Sequence, residues 1–402
     1  MSLGERVPKL RFPGFEGEWK RTSLGEKCKI IMGQSPDSAS YNTIGVGIPL
    51  VQGNADIQNR VSCPNRHTSK PTKICRPNSV LLSVRAPVGT VGIANQTLCL
   101  GRGVCAIESD NNAFLYQFLI FKEDSWRNIE QGGTFTAING DDIKKFTFIM
   151  PCEIEREKIA TFLSLIDSRI AAQRKLVELL KKHKRGLIRR LFLDENSSLK
   201  LHFTHDNALC HSVTMGELGK FFGGLSGKTK EDFGHGNSQY VTYMNVYKNI
   251  VAILEDCEKV DVSDNETQHR IIAGDIMFTQ SSETIEEVGL ASLWEHNKNP
   301  YLNSFCFAFR LYNQHNIIPK WFVYFMRSPQ VRKLIMREGQ GITRVNLSSE
   351  RMKSIMLDIP NTTEQGKVAS ILDLCDSKIN LATKKLEFMD TLKKGLLQQL
   401  FV

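Results

Sequence analysis

IEREKIATFLSLIDSRIAAQRKLVELLKKHKRGLIRRLF, residues 154–192, and TEQGKVASILDLCDSKINLATKKLEFMDTLKKGLLQQLF, residues 363–401, are one heptad helix written twice, identical at 15 of 39 positions at a constant offset of 209. In the first copy Ile159, Leu163, Ile166, Ile170, Gln173, Val177, Leu180, Lys184, Leu187 and Leu191 are spaced alternately by four and three, the seam of a coiled coil. In the second the seam reads Val368, Leu372, Cys375, Ile379, Ala382, Leu386, Met389, Lys393, Leu396 and Leu400. Unbroken, each copy is about 57 Å long at roughly 1.5 Å per residue, a natural spacer between globular bodies. Neither stripe can be left in water. The simplest partner for each is the other copy, brought back antiparallel by the globular segment between them.

The repeat extends outward from the helices. At offset 191, Lys9, Leu10 and Phe12 match Lys200, Leu201 and Phe203, and Leu24, Gly25, Glu26, Lys29 and Gly33 match Met215, Gly216, Glu217, Lys220 and Gly224. The chain therefore divides into repeats 1–192 and 193–402, the second globular segment being 18 residues longer. Four domains are expected: 1–150 with an opening segment 1–19, a helix 151–193, a second globular domain 194–359, and a helix 360–402. The globular interiors align only weakly. A common frame with divergent contents implies one kind of task performed on two different targets.

With 402 residues and 41% hydrophobic content the chain can build real cores. No apolar run approaches 18 residues and MSLGERVPKLRF lacks the apolar core of a signal peptide, so a soluble, cytoplasmic protein without a membrane partner is expected. The ten cysteines fall singly, which favours reduced thiols. Net charge is +9, inviting a polyanion. The surplus is local: residues 151–193 carry 11 Lys or Arg against 5 Asp or Glu, whereas 360–402 balance at 6 against 5. On an isolated helix such a run is a solvated flank. Beside two target-binding modules it follows a phosphate backbone or meets an acidic protein.

Each globular segment reads as mixed α and β. KCKIIMG, GIPLVQGNADI, SVLLSVRAPVGTVGIA, GVCAIES and KFTFIMP are strands in the first, with a helix over 113–130. In the second, QYVTYMNVY, DIMFTQ, NSFCFAFRL and SIMLDIP are strands, with a helix over 319–339.

VPKLRFPGF, LGEKCKIIMGQSP, GIPLVQGNADI, LLSVRAPVGTVGIA, QGGTFTAI and PCEIEREKIATFLSLIDSRI, with GELGKFFGGLSGKT, YVTYMNV, DIMFTQ, GQGITRVNL and IPNTTEQGKVASILDLCDSKI in the second repeat, together give the chain its likeness. It resembles, over essentially its full length, the specificity subunit of a type I restriction-modification system. The resemblance implies two α/β target recognition domains related by a pseudo-twofold and bridged by an antiparallel coiled coil. It implies a subunit without catalysis or cofactor of its own that reads an asymmetric, bipartite double-stranded DNA target, one half per domain. Two modification subunits would dock on the helices, and restriction subunits would join them. S-adenosylmethionine, ATP and Mg belong to those partners.

A reader of base edges needs amides, hydroxyls and guanidinium groups on rigid turns, with cations for the phosphates. In repeat one the candidates are Gln34, Ser35, Gln52, Asn54, Arg85, Gln131 and Thr134. In repeat two they are Ser226, Lys228, Lys230, Tyr243, Asn245, Gln280, Ser281, Gln340, Thr343 and Arg344. Arg85 and Arg344 stand out, because a guanidinium can bond a guanine edge or a phosphate. Two such readers on a two-fold frame meet half-sites about one helical turn apart, roughly 10 base pairs.

Lys184 and Lys393 occupy equivalent seam positions, each two residues before a glycine. A polar seam residue there either fixes register or marks a fraying end. The last turns are accordingly expected to leave the pair and offer Leu187, Ile188, Leu191, Leu396, Leu397 and Leu400 to partner subunits.

Catalytic signals are weak. In GGLSGKT, Gly223 and Gly227 bracket three residues where a phosphate-binding loop needs four. Gly101-Arg102-Gly103 lacks the third glycine and helix of a dinucleotide fingerprint. His202, His205, Cys210 and His211 lie in the repeated opening, where Arg11 and Trp19 replace two of them, which argues against a metal. Two other classes remain open. A structural coiled-coil protein would leave the globular domains without a task, and a free-standing DNA-modifying enzyme would have to transfer methyl groups unaided.

Overall fold

The computed structural model describes residues 7–130, 137–192, 210–263, 265–313, 316–341 and 343–402. The chain forms two compact units, Met1–Lys175 with Thr383–Val402, and Leu176–Ala382. Their limits do not follow the sequence repeats. The last part of each long helix belongs to the unit built by the other repeat.

In the first unit a six-stranded sheet has the order Lys29–Met32, Val104–Glu108, Val80–Ser83, Val91–Ile93, Val61–Ser62, Ile57–Gln58. Its two central strands, VLLS and VCAIE, are buried along their whole length, and the period of two divides their side chains between two cores. Val80, Leu82, Cys105 and Ile107 meet Phe114, Leu115 and Phe118 of the helix Asn112–Phe121. Leu81, Val104 and Ala106 meet Val51, Leu98 and Leu100 of a second, five-stranded sheet.

The second unit repeats this plan. The sheet order is Gly219–Gly223, Cys306–Leu311, Ile276–Thr279, Ala291–Leu293. Ile276, Phe278, Phe307 and Phe309 face the helix side with Trp321, Phe322 and Phe325, while Met277, Cys306 and Ala308 face Val241, Ala252 and Leu302. Each unit also closes its opening segment on the strand that precedes a long helix: Lys20–Ser23 pairs with Thr147–Met150, and His211–Thr214 with Met356–Ile359.

Three expectations need correction. The helix over 113–130 breaks at Lys122, so Asn112–Phe121 is followed by Glu123–Glu130. That over 319–339 is Pro319–Met326 followed by Pro329–Glu338, because Pro329 has no N–H to continue the ladder and Ser328 caps the new helix through Val331 N–H. QYVTYMNVY is strand only to Val241. Thr242 then caps a short helix, Tyr243–Lys248, by accepting from Asn245 N–H at 3.2 Å.

The two heptad segments are continuous helices, α1 at Glu153–Phe192 and α2 at Thr362–Leu400. In the first unit Asp167 meets Lys393 and Arg174 meets Asp390, so the partner number falls as the α1 number rises and the helices run antiparallel. In the second unit Lys184 meets Asp376 in the same register. No helix among the described residues is long and apolar enough to cross a membrane.

Candidate nucleic-acid interface

Each unit ends its central strand in a polar turn bridged to the segment that leads toward the long helix. In the first unit Val80–Ser83 continues to an exposed Arg85, whose backbone bridges Ala137. In the second, Ile276–Thr279 continues to Ser281 and Ser282, paired with Asn346 and Val345. The backbone frame is the same in both, but Arg85 on one corresponds to Ser281 on the other. Gln131 and Thr134 lie outside the described residues.

A second cluster in the first unit gathers four candidates. Gln52 donates to the Tyr41 hydroxyl at 3.2 Å and accepts from Arg66 Nη1 at 3.3 Å. Ser35 Oγ accepts from Arg102 N–H at 3.2 Å, and the Gln34 carbonyl accepts from the Thr72 hydroxyl. Asn54 opens the 3-10 turn that follows, pinned by Asp56 Oδ2 accepting from Gln52 N–H at 2.7 Å. Gly101 and Gly103 are glycines for a packing reason. A Cβ on Gly103 would lie 2.3 Å from the Gln52 carbonyl oxygen, and one on Gly101 3.1 Å from the Gln52 Cα. Arg66, Arg102 and Tyr41 were not singled out from sequence; only the fold brings them beside Gln52 and Ser35.

In the second unit Tyr243, Ser281 and Arg344 line one cleft of about 390 Å³ with Tyr247, Glu283 and Phe305. Arg344 sits over the Phe305 ring, 5.7 Å from its centroid. Gln280 is the hinge of this edge: its N–H donates to the Phe305 carbonyl and its carbonyl accepts from Leu347 N–H. Gln340 and Thr343 are exposed on the adjoining turn, where Gln340 and Asn346 exchange backbone hydrogen bonds. The Tyr243 hydroxyl is pushed up to about 12 by burial, so it acts as a neutral donor and acceptor.

Two candidates have other duties. Asn245 is buried; its amide donates to the Ile253 carbonyl at 2.7 Å and its oxygen accepts from Ile253 N–H at 2.9 Å, which ties the short helix to the next segment. Lys228 is held by Glu266 at 2.6 Å, with Asp232 at 3.9 Å, so its charge is already neutralised. Ser226, bonded to Gln268, and the exposed Lys230 flank that clasp at the surface.

The expectation that the last helical turns are open to partners is corrected. Leu191 joins Phe192 in the core of the second unit, with Leu187 and Ile188 half-buried against it. Leu397, Leu400 and Phe401 enter the core of the first unit, with Leu396 packed alongside. Phe401 stacks on Phe121 at 5.6 Å and Phe192 lies 5.7 Å from Phe325. The last turns do not fray; each plugs a globular core.

The open apolar surface lies elsewhere on the helices. In the first unit Leu165 and Phe388 are 62% and 67% exposed; in the second Leu179, Leu374 and Leu381 are 53%, 63% and 72% exposed. Leu165 and Leu374 are repeat equivalents, as are Leu179 and Phe388. Spaced at seven or fourteen residues along each helix, they form a second apolar stripe beside the seam. That seven-residue spacing was visible in the sequence, but the stronger seam stripe masked it. Beside Leu179, the basic run at Lys181, Lys182, His183, Arg185, Arg189 and Arg190 is also exposed.

Comparison with known proteins agrees with this architecture. The model of the family described as "Type I restriction modification DNA specificity domain" matches residues 16–182 and again 210–388. Over 177 residues, 42% of each chain, the sequence is 37% identical to a Methanocaldococcus jannaschii protein named as the MjaX specificity subunit of a type I restriction enzyme. It is 29% identical over 229 residues to the MjaIX specificity subunit of the same organism, covering 50% of this chain and 53% of that one. The matches thus span about half the length of these curated relatives. The crystal structure of a type I restriction-modification S subunit from M. genitalium has the same fold, with a TM-score of 0.60 at 19% identity over 98% of this chain and 99% of that one. A structure described under complex assembly and conformational transition of the type I R-M system aligns over the same shares with a TM-score of 0.59 at 15% identity. The chain belongs to the family of type I restriction-modification DNA specificity proteins.

Proposed function

We propose that this chain is the non-catalytic DNA-reading subunit of a type I restriction-modification complex, each unit reading one half of an asymmetric, bipartite double-stranded target. One observation carries the reading: two equivalent bridged turns on one frame present different side chains, Arg85 with Ala137 in one unit and Ser281 with Asn346 in the other. A shared frame sets how each unit meets the duplex, and unlike side chains make the half-sites unlike. The net charge of +9 and the exposed basic run on α1 supply the phosphate attraction that any such reader needs. The antiparallel helix pair would set the unread spacer between the half-sites.

Two modification subunits are expected to dock on the exposed stripes, Leu165 with Phe388 and Leu179 with Leu374, with restriction subunits joining them. S-adenosylmethionine, ATP and Mg would be held by those partners. Methylation-sensitive whole-genome sequencing of cells that express the modification subunit, with and without this chain, tests the reading. A two-part, non-palindromic methylated motif should appear only with the chain. A motif that is unchanged when the chain is absent would refute it.

A further inference from the structure

The cleft of the second unit is built more rigidly than a surface turn requires. One wall is the short helix Tyr243–Lys248, on which Tyr243 and Tyr247 stack at 6.2 Å with 15° between their planes. Half-buried Arg327 holds that wall by donating to the carbonyls of Val246, Tyr247 and Asn249 at 2.9, 3.2 and 3.0 Å. The opposite loop is held by Arg332, which donates to the carbonyls of Gly289, Val288 and Glu286 at 2.8, 2.6 and 3.1 Å. The Tyr247 hydroxyl donates to Glu287 at 2.8 Å and joins the two walls. A cleft fixed in this way is preorganised for a ligand.

It also holds Glu283 and, over the Phe305 ring, Arg344. Both line the cleft, and among the described residues neither forms an ion pair with the other or with any other group. On a DNA-reading edge an exposed carboxylate repels phosphates, so its place there is useful only if it accepts hydrogen bonds from a base. Carboxylates accept from exocyclic amines, and guanidinium groups donate to carbonyl or ring-nitrogen acceptors. In the major groove guanine presents two adjacent acceptors, O6 and N7, that match a guanidinium fork, and cytosine presents an amine that matches a carboxylate. Adenine sets its amine beside N7, a pattern that suits an amide rather than a guanidinium fork, and thymine has no amine.

Resting on the DNA-reading function, we propose that this cleft, lined by the Tyr243, Tyr247 and Phe305 rings, reads a G·C pair from the major groove, with Glu283 accepting from the cytosine amine and Arg344 donating to guanine O6 and N7.

The test uses fluorescence anisotropy with the full chain and four probes: alternating dG·dC and dA·dT duplexes, and single strands of oligo(dC) and oligo(dT). Wild-type protein should prefer the G·C duplex over the A·T duplex by roughly tenfold, with no matching preference between the single strands. A preference between the single strands without one between the duplexes would overturn the groove assignment. Glu283→Ala should abolish the preference by weakening the favoured probe, with Glu286→Ala, outside the cleft, as the control. If Glu283→Ala tightens every probe equally, or leaves the preference intact, the proposal is overturned while DNA reading stands. If no probe binds in a salt-sensitive way, DNA reading itself falls. Both glutamates are exposed, so unchanged thermal unfolding will verify that the variants fold.

Discussion

Lys184 Nζ lies 2.5 Å from Asp376 Oδ1, and the repeat equivalents of these residues meet the other way round, Lys393 on Asp167 at 2.5 Å. The two seam lysines therefore mark register rather than a frayed end. Each bridge has further support within its own unit. The Tyr324 hydroxyl donates to Asp376 at 2.7 Å, and Gln117 donates to Asp167 at 2.6 Å. Lysines 184 and 393 also lie over the Tyr324 and Tyr116 rings.

Removing one partner of such a pair leaves the other poorly solvated. With lysine side chains only 14% and 11% exposed, Lys184→Ala or Lys393→Ala should each destabilise its unit by about 3 kcal/mol. Urea denaturation of the full chain measures this. The double variant Lys184→Met with Asp376→Asn should lose less than the two single variants added together, as coupled partners do; strict additivity would show that the bridge contributes nothing.

Asn245 and Arg85 should separate structural from reading roles. Asn245→Ala strands the Ile253 N–H and carbonyl, and should cost about 1–3 kcal/mol of stability without altering which DNA is preferred. Arg85→Ala should leave thermal unfolding unchanged and weaken specific DNA binding by about 1–3 kcal/mol, read by competition between cognate and unrelated duplexes. Loss of stability on removing exposed Arg85 would contradict its assignment.

Two leucines twelve residues apart on α1 should behave oppositely. Leu191→Ala opens a cavity in the second unit's core and should cost about 2–5 kcal/mol. Leu179→Asp, on the exposed stripe, should leave the melting temperature unchanged and abolish co-purification with the modification subunit, as should Phe388→Asp. Undiminished co-purification of both would remove the stripe as the docking face.

Glu266 offers a titration test. The Lys228 ammonium bonded to it, with the Ser263 N–H at 3.0 Å, lowers its carboxyl from the ordinary 4.5 to about 2. Because the folded value lies below the unfolded one, this stabilisation is complete above the ordinary carboxylate range and is lost as pH falls toward 2. Carboxyl titration by NMR should place Glu266 well below its neighbours, and Lys228→Met should raise it. An unmoved midpoint in that variant would show that the clasp is not the cause.

Much of the frame was legible in the chain itself. Periodicity is a local property, so the heptads of α1 and α2, the buried strands VLLS and VCAIE and the repeat offset could all be read from neighbours in sequence. Helix breaks were harder: Pro329 and the Thr242 cap act through single backbone groups, which a hydrophobic count smooths over. The candidate reading edge was legible only in part. Arg85, Ser281 and Arg344 stand on the expected turns, yet Asn245 and Lys228, equally polar, are spent on internal bonds.

The amino-acid sequence by itself determined the duplication, the seam of each long helix and the residue types available to meet DNA, because these follow from spacing and side-chain chemistry along one strand of polypeptide. Only the tertiary structure decided that Leu191 and Leu400 close globular cores while Leu179 and Phe388 face solvent, and that Glu283 and Arg344 share a cleft without neutralising each other. The physical reason is that burial and pairing depend on which distant segment fills the space beside a side chain, and no pattern within a single segment records that.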